Sequence, residues 1–466
     1  MKQALRPVAY ALLGMIGFSA IWLTGVQLRA GSDYREDPRN IRAARAPADT
    51  ARGRVITADG VIVAEDDPAG GRRYPLGDRY AHIVGYDAAA GRRGVELTRF
   101  AAMRSRDDGS IQSWLLARFG ADLGPPDVHL TLIDAVQEAA VAALGSQTGA
   151  VVAIDPRTGA VVAYASSPGF DPNDVVTGLV DPTDDAAQDR LLDRAGNRLL
   201  PPGSTFKVIV ASAALRSGIT SQTVFDDASE YVPPGGIAIH NAGGGDCITG
   251  STITLEDALV VSCNVVFARL AVDLGARAVV SAAERSWFNR DLPWETGAAE
   301  SLIPGADSLD ADTAALAQSG LGERDVRATP LLMAVIAAAL GNDGLAMAPY
   351  VVDSVVAPDG EILDVTAPAT LDRMFPASVV DDLLTMMEQV VERGTGRSGG
   401  VPGVRIAGKT GTAEGSDGPH AWFIAVGPIE APTIAVAVLV ERGGSGGAVA
   451  APVASAVIST WLAYES

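Results

Sequence analysis

Three lysines occur in the 466 residues, Lys2, Lys207 and Lys409; the remainder of the 36 Lys and Arg residues are arginine. A chain rich in Ala, Gly, Val and Arg suggests GC-rich coding, which explains the depletion but not where the survivors stand. Lys207 closes Ser204-Thr205-Phe206-Lys207, and three residues is the spacing that sets two side chains on one face of a helix turn. A serine hydroxyl is a weak nucleophile until a base takes its proton. Arginine cannot be that base, because its guanidinium stays protonated, whereas a desolvated lysine beside another cation can lose its proton. By itself a Ser-x-x-Lys also fits an ordinary surface helix turn.

Two further elements change that balance. Ser262-Cys263-Asn264 offers a second hydroxyl to shuttle a proton and an amide to hold a substrate amide. Lys409-Thr410-Gly411-Thr412 offers a cation and hydroxyls suited to a carboxylate, with a glycine that lets a substrate backbone approach closely. Ser-x-Asn alone is nearly uninformative. The three together, in this order, point to nucleophilic acyl transfer through a serine. His129 and His240 read as structural or exposed, and His420 and Trp422 follow the third element closely enough to line a cleft. The Cys and His residues have no metal-ligand spacing, and the chemistry needs no metal or organic cofactor.

The elements that must position these groups follow from pattern. Pro201-Pro202-Gly203 delivers the chain to Ser204 at the start of an apolar helix over residues 206–215, where free N–H groups and the dipole favour a developing oxyanion. Strands are predicted at residues 150–154 and 160–165, joined by a turn at Asp155-Pro156-Arg157-Thr158-Gly159. Further strands are predicted from 404–407 into the Lys-Thr-Gly segment, at 421–426 and at 433–440, before a helix at 450–463. A helix over 134–144 and one starting at Pro330, capped by Thr329 and stopped at Gly341-Asn342-Asp343-Gly344, are also marked. Strands at both ends of a long helix-rich middle imply one sheet built from the two chain ends, hence an α+β class.

Length leaves room for two or three domains. A net charge of −20 excludes the basic surface that a nucleic-acid partner requires. Residues 7–28 carry no charge and span about 33 Å as a helix at ~1.5 Å per residue, enough for a ~30 Å hydrocarbon core. The stretch is too long for a signal-peptide core and ends in a poor cleavage site, so it reads as a retained membrane anchor. With Lys2 and Arg6 before it and Arg29, Arg35, Arg39, Arg42 and Arg45 after it, the positive-inside count does not favour a cytoplasmic N-terminus; the short N-terminal tail and the chemistry set the globular part outside the cytoplasm. The expected organisation is a tail over 1–6, an anchor over 7–28, a small membrane-proximal pedestal over 29–126 with a strand at 54–56 and a turn at Asp59-Gly60, and the catalytic domain over 127–466. Cys247 and Cys263 form an even pair, read as a disulfide in an exported chain, against the alternative of two buried thiols.

The three motifs, and the segments around them, resemble the class B penicillin-binding proteins. The resemblance rests on residues 200–207 (LPPGSTFK), 149–159 (GAVVAIDPRTG), 166–173 (SSPGFDPN), 407–414 (AGKTGTAE) and 420–423 (HAWF), with 52–55 (RGRV) and 94–97 (GVEL) upstream. Residues 80–86 (YAHIVGY) bring it closest to the actinobacterial penicillin-binding protein A type; residues 57–60 (TADG) depart from the class, where an Asp-Arg pair is usual. The resemblance implies a penicillin-binding and serine β-lactamase-like fold on a pedestal, and a peptidoglycan D,D-transpeptidase. Ser204 would be the acylated nucleophile, Lys207 its base, Ser262 a proton relay and Asn264 a substrate-amide contact. Lys409, Thr410 and Thr412 would bind the substrate carboxylate beside Gly411, with the N–H groups of Ser204 and Thr412 as oxyanion hole. It further implies D-Ala-D-Ala stem peptides as donors, a neighbouring stem amine as acceptor, β-lactams as inhibitors, a SEDS-family lipid II polymerase as partner, and a single-pass membrane location serving cell division or cell shape.

Other classes fit less well. A class A β-lactamase needs a Glu-x-x-x-Asn loop between the second and third motifs, and Glu284, Glu295 and Glu300 lack that asparagine. A D,D-carboxypeptidase shares the motifs, but an anchor and pedestal favour crosslinking. About 100 residues between anchor and catalytic domain leave too little chain for a polymerase domain. Intact Ser204, Lys207, Ser262, Asn264 and Lys409 argue against a non-catalytic scaffold or antibiotic sensor.

Overall fold

The computed structural model describes residues 14–19, 22, 51–105, 114–115, 118–120 and 122–466. Most of the 7–28 segment therefore lies outside the described residues; residues 14–19 and 22 are helical, and no helix among the described residues is long and apolar enough to cross a membrane.

The centre is a five-stranded antiparallel sheet made from both chain ends. Its order is Ala407–Ala413, His420–Gly427, Ile434–Val440, Gly149–Ile154 and Val161–Ser167, so the Lys-Thr-Gly strand is an edge, paired on one side only. Alternate residues serve two cores, as the period of two dictates. Val151, Ala153, Phe423, Val436 and Val438 face helices Asp134–Leu144 and Ala450–Glu465. Val152, Ile154, Trp422, Ile424 and Ala437 face the other way, onto Pro330–Leu340 and the helical middle. Every residue of Ile434–Val440 is buried, and each fully buried Val, Leu or Ile stabilises by ~1.5–3 kcal/mol. Thr329 caps Pro330–Leu340 through its side chain, which accepts the Leu332 N–H at 3.2 Å, as the Thr-Pro pair predicts.

A second sheet joins sequence regions that composition had separated. It runs Ile362–Val365, Val352–Val356, Asp127–Leu130, Val55–Ile56, Ile62–Asp66 and Arg72–Arg73, so strands from either side of residue 126 share hydrogen bonds. Beside it, the arginine of Arg52-Gly53-Arg54-Val55 and the glutamate of Gly94-Val95-Glu96-Leu97 are fixed in buried ion pairs. Arg52 meets Asp87 and Asp66, and Arg72 Nε lies 2.7 Å from Glu96 Oε1 with both side chains fully buried. These short motifs do structural work here.

Candidate active site

Ser204 stands in a 3₁₀ turn, Gly203–Phe206, that runs straight into helix Lys207–Arg216. The turn is held from two sides. Gly203 N–H donates to Gly322 O at 3.0 Å. A Cβ on Gly203, whose φ is +53°, would fall 2.8 Å from Thr412 O, and one on Gly411 would fall 2.7 Å from Pro202 O. Glycine at both positions thus lets the edge strand press its backbone onto the Ser204 turn, bringing the N–H-bearing segments of Ser204 and Thr412 together.

Ser262 and Asn264 come from the corner between helices Leu255–Val260 and Asn264–Leu274. Ser262 has φ +61°, a left-handed conformation that costs a non-glycine residue on the order of 1–3 kcal/mol and that concentrates at functional sites. Cys263 beside it is disulfide-bonded to Cys247, with the Cα atoms 5.6 Å apart. Asp227 braces the other half of the bridge by accepting the N–H groups of Cys247 and Ile248, each at 2.8 Å.

All three motifs converge on the two lysines, both fully buried. Lys207 Nζ donates to Ser262 O and Asn264 Oδ1, each at 2.8 Å, and lies 3.4 Å from Ser262 Oγ. Lys409 Nζ donates to that same Oγ and to Thr410 O, each at 2.9 Å. Asn264 is oriented by its Nδ2, which donates to His240 O at 3.0 Å. The Thr410 hydroxyl is 2.6 Å from that of Thr395, and Thr412 Oγ1 accepts Gly446 N–H at 3.4 Å.

Burial and a neighbouring cation dictate the protonation chemistry. Desolvation first, then the charge of Lys409, hold the Lys207 amine well below the usual lysine range, with Glu323 opposing. Desolvation lowers Lys409 to about 7. The two acceptors at 2.8 Å use both N–H groups of a neutral Lys207, which leaves its lone pair for a hydroxyl proton.

Glu323 is the residue that sequence reasoning passed over. It lies between the second and third motifs, where the acids considered were Glu284, Glu295 and Glu300. Glu295 is spent on structure, accepting the N–H groups of Val351 and Val352. Glu323 instead follows Gly322, which packs on Gly203, and its Oε1 accepts Glu414 N–H at 3.3 Å, just beyond the Lys-Thr-Gly strand. Burial pushes its carboxyl up to about 7, against the N–H of Glu414 and the charge of Lys207, which lower it. No short motif marks it, although Gly322 signals a close backbone approach. The expectation for Trp422 is corrected: it is fully buried opposite Gly411, because the alternation of its strand turns it into the core. His420 lines a side cavity and accepts Arg442 N–H at 3.1 Å.

Residues 149–459 match the penicillin-binding protein transpeptidase domain. The chain belongs to that family. The match extends beyond the domain: the peptidoglycan D,D-transpeptidase PbpA of Mycolicibacterium smegmatis is 36% identical, with 99% of each chain covered. The penicillin G acyl-enzyme complex of penicillin-binding protein A from M. tuberculosis superposes with a TM-score of 0.81 at 33% identity, covering 89% of this chain and 100% of that one. The D,D-transpeptidase domain of an Eggerthella lenta peptidoglycan glycosyltransferase gives 0.81 at 32% identity, covering 90% and 99%. The penicillin-binding transpeptidase fold expected from the motifs is thus the fold observed.

Proposed function

We infer that this chain is a peptidoglycan D,D-transpeptidase that works through an acyl-enzyme at Ser204 and is acylated by β-lactams. The observation that carries the reading is the pair of buried lysines on one hydroxyl, one turn from a serine packed against the Lys-Thr-Gly edge. In the first step Lys207, as a neutral amine, takes the Ser204 proton while Oγ attacks the carbonyl carbon of the penultimate D-Ala. The oxyanion forms against the N–H groups of Ser204 and Thr412. The C–N bond then breaks, and the terminal D-Ala leaves as an amine, protonated through Lys207 and the Ser262 relay. In the second step a neighbouring stem amine attacks the ester, forms the amide crosslink and returns the proton to Ser204.

Lys409, with Thr410 and Thr412, receives the terminal carboxylate, and Asn264 contacts the substrate amide. The carboxylate lies toward Lys409 and the reacting carbonyl toward Thr412. The uncharged stretch over 7–28 supports a membrane anchor with residues 29–126 as pedestal, residues 127–466 as catalytic domain and an extracytoplasmic active site, as the disulfide does. A SEDS-family lipid II polymerase as partner follows from the family resemblance. The test is a stem pentapeptide ending in D-Ala-D-Ala, offered with and without an acceptor amine. Crosslinked product with D-Ala release is expected; release to water alone, whatever the amine concentration, marks a carboxypeptidase.

A further inference from the structure

Between the second and third motifs the chain turns at Gly394-Thr395-Gly396, where helix Ala377–Glu392 has ended. The N–H groups of Gly394 and Gly396 both donate to Val390 O, at 3.2 and 2.9 Å, which fixes the turn on its own helix. Further contacts fix it on helix Leu255–Val260, which leads to Ser262. Arg393 pairs with Glu256 at 3.0 Å and with Asp257 at 2.8 Å, and Thr395 N–H donates to Val260 O at 3.2 Å. Thr395 also meets the Lys-Thr-Gly strand, because its hydroxyl lies 2.6 Å from that of Thr410. Gly447 passes so close that a Cβ there would collide with Thr395 O. One threonine outside all three motifs thus joins the Ser262 corner to the strand that carries Lys409.

The two hydroxyls differ in setting. Thr410 is buried and Thr395 exposed, and among the described residues each hydroxyl has the other as its hydrogen-bond partner. One proton lies between the two oxygens, so the direction of that bond decides what Thr410 has left. If Thr410 donated, only its lone pairs would face an incoming carboxylate. If Thr395 donates, the Thr410 proton is free to point at the anion, and each bond in the chain from hydroxyl to hydroxyl to carboxylate polarises the next. We propose that Thr395 is a positioning residue for the substrate carboxylate, acting through Thr410: its hydroxyl donates to Thr410 Oγ1 and so presents the Thr410 proton to the anion. The proposal rests on the acyl-enzyme reading above, and the test separates the two.

The second-order rate of Ser204 acylation is measured with penicillin G and with its methyl ester, which lacks the anion. Thr395→Val keeps the shape of the side chain and removes the donor, so the rate with penicillin G should fall about tenfold and that with the ester by less than about twofold. Thr395→Ser restores the donor and should stay within about threefold of wild type with both. In a Thr410→Val background no hydroxyl is left to orient, so adding Thr395→Val should change the penicillin G rate by less than about twofold. A role confined to holding the turn predicts equal losses with acid and ester, and losses that multiply in the double variant. Either result overturns the proposal, as does Thr395→Ser as slow as Thr395→Val, or Thr395→Val as fast as wild type. In all of these cases wild-type protein acylated at Ser204 leaves the acyl-enzyme reading standing; wild-type protein that penicillin G leaves unmodified removes both.

Discussion

Lys207 and Lys409 share one hydroxyl: the Oγ of Ser262 lies 3.4 Å from the first amine and 2.9 Å from the second. Two ammonium groups this close and fully buried repel, so the pair is stable with one proton fewer than two free lysines would carry. The second-order rate of β-lactam acylation separates their roles. Lys207→Arg keeps a charge and removes the base, so the rate should fall at least ~10²-fold. Lys409→Arg keeps the cation that meets the carboxylate and should cost less, with both variants checked by thermal melts. A larger loss at Lys409 would reverse the assignment.

The same pair sets a pH profile. Lys207 acts neutral, so the rate rises as pH climbs through its lowered pKa; Lys409 acts charged, so the rate falls as pH climbs through about 7. The expected profile for kcat/KM is bell-shaped, and Lys409→Arg, permanently charged, should lose the alkaline limb. An alkaline limb unchanged in that variant contradicts the role.

Glu323 adds a carboxyl that ionises near 7 and whose charge favours protonated Lys207. At pH 6 it is largely neutral, and Glu323→Gln should acylate within about threefold of wild type. At pH 8 the wild-type carboxylate holds a proton on Lys207 that glutamine does not, so the ratio of variant to wild-type rate should rise from pH 6 to pH 8. A flat ratio removes Glu323 from the electrostatics of the site.

The convergence of the candidate site residues was legible because each is tied to a short local signature. Ser204 and Lys207 share one turn, Ser262 and Asn264 one corner, and Lys409 to Thr412 one strand. Helix Pro330–Leu340 was marked by its own cap and stop, and the central sheet by strands at the two chain ends; that Ala407–Ala413 is the edge of that sheet was not. Long-range relations were not legible. Glu323 reaches the site only because Gly322 packs against Gly203, 119 residues earlier in the numbering than the loop it touches. Trp422 was misplaced because proximity in sequence to Lys409 says nothing about which face of the neighbouring strand it occupies. The second sheet draws on both sides of residue 126, which no composition shift announces.

The Cys247–Cys263 bridge closes a short loop, with a sequence separation of 16, and anchors the residue next to Ser262. Closing a loop of this size stabilises by ~3 kcal/mol. The double variant Cys247→Ala, Cys263→Ala should melt several degrees lower and acylate more slowly, as the Ser262 corner loosens. Unreduced, denatured protein from an oxidising compartment should show no free thiol; two free thiols there contradict the bridge.

Gly411 tests the contact between strand and nucleophile. A methyl at this position would lie 2.7 Å from Pro202 O and 3.0 Å from both Thr205 Cγ2 and Trp422 Cβ. Gly411→Ala should therefore push the strand off the Ser204 turn, at an overpacking cost of ~1–3 kcal/mol, and slow acylation at least about tenfold. Wild-type rates in a stably folded variant would show that the strand can retreat without harm.

The measurement that reaches the centre of the account is intact-mass spectrometry of the protein after penicillin treatment, with peptide mapping of the adduct. One penicilloyl group per chain is expected, on Ser204, and none in Ser204→Ala. An adduct that persists in Ser204→Ala, or that maps to another residue, contradicts the acyl-enzyme on which the function rests.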